Sequence, residues 1–181
     1  MISIVFPAYN EEDNVEELHQ RLKAVLSSLG EPFEIIAVEN GSTDQTLEKL
    51  KKLLPVKIII FPRNYGQTSA LDAGIQAARG EIVITLDADL QNDPQDIPKM
   101  VAKIKEGYDV VAGWRQNRQD DLGRKILSRM ANWLTRRVLG LYLHDYACAI
   151  KAFKKEFIHG IHLYGEMHVF LPAILASRGA K

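Results

Sequence analysis

Asp87-Ala88-Asp89-Leu90-Gln91 closes an apolar, β-branched run at 81–86. Two carboxylates and an amide carbonyl are hard oxygen donors, suited to Mg2+ or Mn2+ with diphosphate oxygens and water completing the shell. Alternation along a strand puts Asp87 and Asp89 on one face, and a turn through Asn92-Asp93-Pro94 bends Gln91 inward. The competing reading is a capped strand-to-helix turn, which describes Asp93 before Pro94. A cation at this place stabilises a departing diphosphate without a proton donor. That fits the pair better than glycosidase chemistry, which needs one carboxyl kept protonated by burial. No G-x-G-x-x-G follows the first strand and no G-x-x-x-x-G-K-[ST] occurs, so the dinucleotide and P-loop readings are weak.

The elements that must position these groups follow from the apolar runs. The sequence predicts strands at 2–7, 33–39, 56–61, 81–86 and 108–113, and helices near 13–29, 44–54, 67–79 and 94–106. Continuous apolar strands separated by helices imply βαβ units, hence an α/β fold with a mostly parallel sheet and helices on both faces. Thr43 and Asp44, and then Asp93-Pro94, signal helix starts; Gly30 and Gly80 signal ends. In such sheets ligands bind beyond the carboxyl ends of the strands. The strand ends here carry Tyr9-Asn10-Glu11, Glu39-Asn40-Gly41-Ser42, Arg63-Asn64-Tyr65-Gly66, Asp87-Ala88-Asp89 and Trp114-Arg115. Residues 1–181 are expected to form one catalytic domain, with a change of character near 114.

From 122 to 141, Leu122, Ile126, Leu127, Met130, Trp133, Leu134, Val138 and Leu141 form an apolar stripe flanked by Arg124, Lys125, Arg129, Arg136 and Arg137. Two readings stand: a helix seeking a membrane interface, and a core-facing helix with a solvated basic side. The 181 residues are 46% hydrophobic and 25% charged, and Lys plus Arg equals Asp plus Glu at 23 each. No global field therefore points to nucleic acid. Cys148 stands alone, which excludes an internal disulfide and a Cys-based zinc site and fits a reducing compartment; among Ala147, Ala149 and Ile150 it reads as buried and inert. His19, His159 and His162 read as surface or structural residues. The N-terminal apolar run is too short for a signal peptide, and no apolar run reaches the ~18 residues a bilayer span needs. The ending after an apolar helical stretch leads to the expectation that the natural chain continues.

FPAYNEEDNV at 6–15, ENGSTD at 39–44, RNYGQTSAL at 63–71, LDADLQNDP at 86–94, GWR at 113–115 and RKILSR at 124–129 resemble, in order, the family 2 glycosyltransferases. The similarity is to the polyprenyl-phosphate type typified by dolichol-phosphate mannosyltransferase, and it continues through HDYACAIKAF at 144–153 and GEMHVFLPA at 165–173. It implies a GT-A, Rossmann-like fold with its D-x-D motif after the fourth strand. Pro7, Ala8, Tyr9 and Glu11 then match the loop that holds the donor nucleoside, and Val38 and Glu39 the residues beside its base. Asp87 and Ala88 join that donor surface, and Asp87, Asp89 and Gln91 match the metal run. Where the family usually has two aspartates, this chain has Glu39-Asn40, which bears on nucleotide choice.

Arg115, Arg124 and Ser128 match residues that bind the acceptor phosphate, with Asp89 in the catalytic group. Such a phosphate, with a second pKa of ~6, attacks without a general base and needs only positioning and partial neutralisation. The resemblance thus implies an inverting transfer of a hexose from a UDP- or GDP-sugar to a polyprenyl phosphate at the cytoplasmic face of a membrane. Two alternatives remain open at this stage. One is a saccharide hydroxyl acceptor, for which Asp145 or Glu166 would be the base; the other is a non-catalytic nucleotide-sugar-binding module. His144 and Asp145, and Glu166 and His168, read as structural polar groups, with His168 otherwise facing sugar or diphosphate.

Overall fold

A computed structural model of the protein describes residues 1–114, 137 and 148–181. Arg115, Arg124, Ser128, His144 and Asp145 lie outside the described residues, as does the 122–141 stripe apart from Arg137. Among the described residues six strands form one sheet: β1 (Ile2–Ala8), β2 (Phe33–Glu39), β3 (Lys57–Ile60), β4 (Ile82–Thr85), β5 (Val110–Ala112) and β6 (Lys151–Lys154), in the order β3-β2-β1-β4-β6-β5. Among the described residues the helices are α1 (Val15–Ser28), α2 (Thr46–Leu50), α3 (Gln67–Ala77), α4 (Ile97–Lys105), α5 (Lys155–Ile158) and α6 (Met167–Ser177).

The apolar strands pair in parallel as expected, with Ile2 to Ala8 facing Phe33 to Glu39 residue for residue. Alternation along β1 divides the core between two faces. Ile2, Ile4 and Phe6 pack with Leu18, Leu22, Leu50, Met100 and Ile104, contributed by α1, α2 and α4. Val5, on the other face, packs with Leu71, Ile75, Leu171 and Leu175 from α3 and α6. Both faces are therefore covered, which is why these strands read as unbroken apolar runs.

Several elements differ from the sequence-based expectation, among them the helices α5 and α6, which were not placed. β6 was not foreseen; it runs antiparallel between β4 and β5, and so separates the fifth strand from the parallel set. The second helix spans only Thr46–Leu50, short of the expected 44–54. Two of the helix signals behave as read. Asp93 caps the turn at Pro94 by accepting from the Gln95 amide at 3.0 Å, and Gly30 ends α1 with a φ of 67°. His19 is buried on α1, where desolvation lowers its pKa, followed in effect by Lys23. Cys148 is buried. Among the described residues no helix is long and apolar enough to cross a membrane.

At the start of β5 the Lys181 carbonyl accepts from the Asp109 and Val110 amides at 2.7 and 3.1 Å. Asp109 in turn accepts from Lys154 Nζ at 2.6 Å and from the Lys181 amide at 3.0 Å. The Lys154 hydrogen bond leads the causes that hold the Asp109 carboxyl below its ordinary value. A depressed carboxylate contributes stability above its unfolded pKa of ~3.9 and loses that contribution as pH falls through the folded value. Melting temperatures should therefore differ between wild type and Asp109→Asn at neutral pH and converge in acid. Equal slopes of melting temperature against pH in the two proteins would remove Asp109 from the acid limb.

Candidate functional site

The strand order reverses at β1: β2 and β3 lie on one side of it, and β4 on the other. The crevice between the carboxyl ends of β1 and β4 is the switch point at which open α/β sheets take ligands. Tyr9 and Asp87 stand at its two lips.

On the β1–β2 side the backbone is locked by short polar contacts. The Asn10 amide donates to Ser42 Oγ at 3.1 Å, and the Thr43 amide donates to Asn10 Oδ1 at 2.9 Å. The Glu11 amide donates to Thr46 Oγ1 at 2.8 Å. Asp44 accepts from the amides of Glu12 and Thr46 at 3.2 and 2.9 Å. Burial would raise the Asp44 pKa, but the bonds from Thr46 and Glu12 outweigh it and the carboxyl lies below its ordinary value. Asn10 adopts a φ of 55°, a left-handed conformation that Asn tolerates better than most residues. The result is a rigid rim with Tyr9 42% exposed above it.

Glu39 is 2% exposed, and its Oε1 accepts from the Ser42 amide at 2.5 Å. Part of its carboxylate thus shapes the turn that the base-side reading assigned to ligand. Pro7, Ala8, Val38 and Glu11 lie on the same two strand exits, with Ala8 and Val38 fully buried, so these two can offer a ligand backbone and shape rather than side-chain polarity. Asn40, the departure from the usual aspartate, uses both ends of its amide. Its Oδ1 accepts from the Tyr65 amide at 3.0 Å and its Nδ2 donates to Asn64 Oδ1 at 3.2 Å. An aspartate would have no N–H for Asn64. Arg63 sits 4.9 Å above the Tyr65 ring, which meets Phe61 edge-on.

On the β4 side, Leu86 N donates to Val5 O at 3.2 Å and extends the strand pairing past Thr85. Leu86 and Ala88 are buried while Asp87 and Asp89 are half-buried, the alternation expected of two carboxylates turned to the open side. Asp89 Oδ1 accepts from the Gln91 amide at 3.1 Å, closing a tight turn in which Leu90 has a φ of 60°. Gln91 is exposed. Among the described residues no three His, Cys, Asp or Glu side chains gather as a metal cluster. A cation here would have two carboxylates and an amide carbonyl from the protein, the small all-oxygen set that suits Mg2+ or Mn2+ sharing a phosphate-bearing ligand.

Three residues near Asp87 were missed as individuals, although two of them lie inside RNYGQTSAL. Gln67 Nε2 donates to Asp87 Oδ1 at 2.6 Å. Thr68 Oγ1 lies 2.5 Å from the Gly165 carbonyl and 2.6 Å from His168 Nδ1. Lys151 is 4% exposed on β6 and lines, with Asp87, Gln67 and His168, a cavity of about 10 Å3. Desolvation lowers the His168 pKa, Lys151 adds to the fall, and Glu166 opposes it. The position of Gln67 and Thr68 at the start of a helix that follows a strand end was the available signal.

Residues 3–161 match the family described as Glycosyl transferase family 2. The chain is 44% identical over 183 residues to the dodecaprenyl-phosphate galacturonate synthase of Rhizobium johnstonii, covering 97% of this chain and 54% of that protein. It is 42% identical over 185 residues to the undecaprenyl-phosphate 4-deoxy-4-formamido-L-arabinose transferase of Klebsiella pneumoniae, covering 99% and 56%. It thus spans about half the length of these relatives. Among solved structures, a mycobacterial protein superposes with a TM-score of 0.71 at 25% identity over 90% of this chain and 56% of that one. Glucosyl-3-phosphoglycerate synthase from Mycobacterium tuberculosis, in complex with Mn2+, UDP and glucosyl-3-phosphoglycerate, gives 0.69 at 24% identity over 87% and 58%. The latter likeness is one of fold.

Proposed function

Because this chain belongs to glycosyl transferase family 2, we propose that it is the catalytic domain of an inverting transferase that moves a hexose from a UDP- or GDP-sugar to a polyprenyl phosphate. The observation that carries the reading is the placing of Asp87 and Asp89 at the β4 exit, across the switch-point crevice from Tyr9. The names of the relatives, both polyprenyl-phosphate sugar transferases, support the acceptor. Residues 1–181 act as one catalytic domain at the cytoplasmic face of a membrane.

Asp87, Asp89 and Gln91 would hold Mg2+ or Mn2+, which supplies Lewis-acid stabilisation of the charge on a departing nucleoside diphosphate. The rigid rim of residues 8–12 and 39–46 orients the nucleoside, and Tyr9 offers it an exposed ring. Pro7, Ala8, Glu11, Val38, Glu39 and Ala88 shape the same surface. The acceptor phosphate oxygen bonds to the anomeric carbon as the bond from that carbon to the diphosphate oxygen breaks on the opposite side, so configuration inverts. By the family resemblance, Arg115, Arg124 and Ser128 hold that phosphate.

The test supplies the full-length protein with labelled UDP- and GDP-sugars and, separately, undecaprenyl phosphate or an oligosaccharide. Label should pass to the lipid phosphate, and chelation by EDTA should stop it. Transfer to the oligosaccharide alone would overturn the acceptor, and donor binding without any transfer would favour a binding module.

A further inference from the structure

We infer that the first turn of α3 is a positioning device for the cation site, with Gln67 setting the Asp87 carboxylate. The inference rests on the cation reading above and goes beyond it to a residue that never touches the ion. Gln67 Nε2 donates to Asp87 Oδ1 at 2.6 Å. A neutral amide fixes the orientation of a carboxylate without itself bringing a positive charge to it.

The turn that carries Gln67 is anchored on two sides. Asn64 Oδ1 accepts from the Gly66 amide at 2.8 Å, and Ser69 Oγ donates to the Tyr65 carbonyl at 3.0 Å, which ties the turn to the loop before it. Thr68 ties it to the loop before α6. Its hydroxyl has one proton, and the Gly165 carbonyl at 2.5 Å can only accept, so that proton goes to Gly165. His168 Nδ1, 2.6 Å from the same oxygen, must then be the donor. This serves both bonds of the Thr68 hydroxyl and places a proton on Nδ1 of the imidazole. Thr68 is itself buried, so the anchor is shielded from competing water. Gln67, by contrast, is exposed, and replacing it leaves the core untouched.

The experiment titrates Mn2+ into the full-length protein in the presence of UDP or GDP, following free Mn2+ by electron paramagnetic resonance, and repeats the titration by turnover. Gln67→Met keeps the side-chain length and removes the N–H. Its half-saturating Mn2+ should rise about 10- to 100-fold, the usual cost of losing an outer-shell partner. Its melting temperature should not move, and saturating Mn2+ should restore its rate. Gln67→Asn, an amide withdrawn by one methylene, should show the same shift and guards against a folding defect in the first variant. Overlaid Mn2+ curves for wild type and both Gln67 variants, with Asp87→Asn shifted, would overturn the positioning role and leave the cation reading standing. No Mn2+ binding by wild type with either nucleotide would remove both.

Discussion

Asp89→Asn is expected to lower turnover by at least about 10²–10³-fold, the scale of losing one preorganised electrostatic contact to a developing charge. The fold should survive, and the structure says why. The contact of Asp89 within its turn is the bond its Oδ1 accepts from the Gln91 amide at 3.1 Å. An asparagine presents an oxygen in the same place and closes the same turn. Only the negative charge is lost, and with it most of the affinity for a hard divalent ion. The check is a thermal melt of the two proteins beside their rates of sugar transfer. An Asn variant with a wild-type rate would show that no cation is held at Asp89.

Gly41→Ala should be the most damaging small substitution at the nucleoside side. Gly41 has a φ of 72°, where an L side chain is strained. An added Cβ would lie 2.3 Å from the Arg63 carbonyl carbon and 2.6 Å from the Asn64 nitrogen. Those are backbone atoms, so the loop from 61 to 66 must move as a body. That loop is hung on β2 by Phe61 N donating to Glu39 O at 2.8 Å and by Tyr65 N donating to Asn40 Oδ1. Left-handed strain of about 1–2 kcal/mol and overpacking of about 1–3 kcal/mol sum to about 2–5 kcal/mol. For a chain of this size that lowers the melting temperature by about 4–20 °C. Displacing the rim by even an ångström should also cost on the order of 10²-fold in kcat/KM for the donor. Calorimetric melting and donor kinetics check the two effects separately. A Gly41→Ala protein with an unchanged melting temperature would mean that the two loops are not in contact as described.

The departure at Asn40 alters how the donor side is understood. Read alone, an amide in place of a carboxylate bears on nucleotide choice. In the fold, Asn40 is 3% exposed and hydrogen-bonded at both ends to the 64–65 loop. Its companion Asn64 also accepts from the Gly66 amide at the start of α3. The substitution is therefore matched by a neighbour, and it belongs to the scaffold that carries Gln67.

Local pattern determined a great deal of this protein. β1, β2 and β4 are continuous apolar runs because both faces of the sheet are covered, and that pattern is written in consecutive residues. The same holds for Asp87 and Asp89, two positions apart after a buried run, and for the cap at Asp93. β6 was illegible for the opposite reason. Its four residues, Lys-Ala-Phe-Lys, begin and end on charge, and they form a strand only because β4 and β5 supply partners on either side. Lys151 is buried there by neighbours distant in the chain. Gln67 against Asp87 is a contact across 20 residues and Thr68 against His168 one across 100. Periodicity records which way a side chain points along its own element; which polar group it meets depends on how the elements are stacked, and only the folded chain decides that.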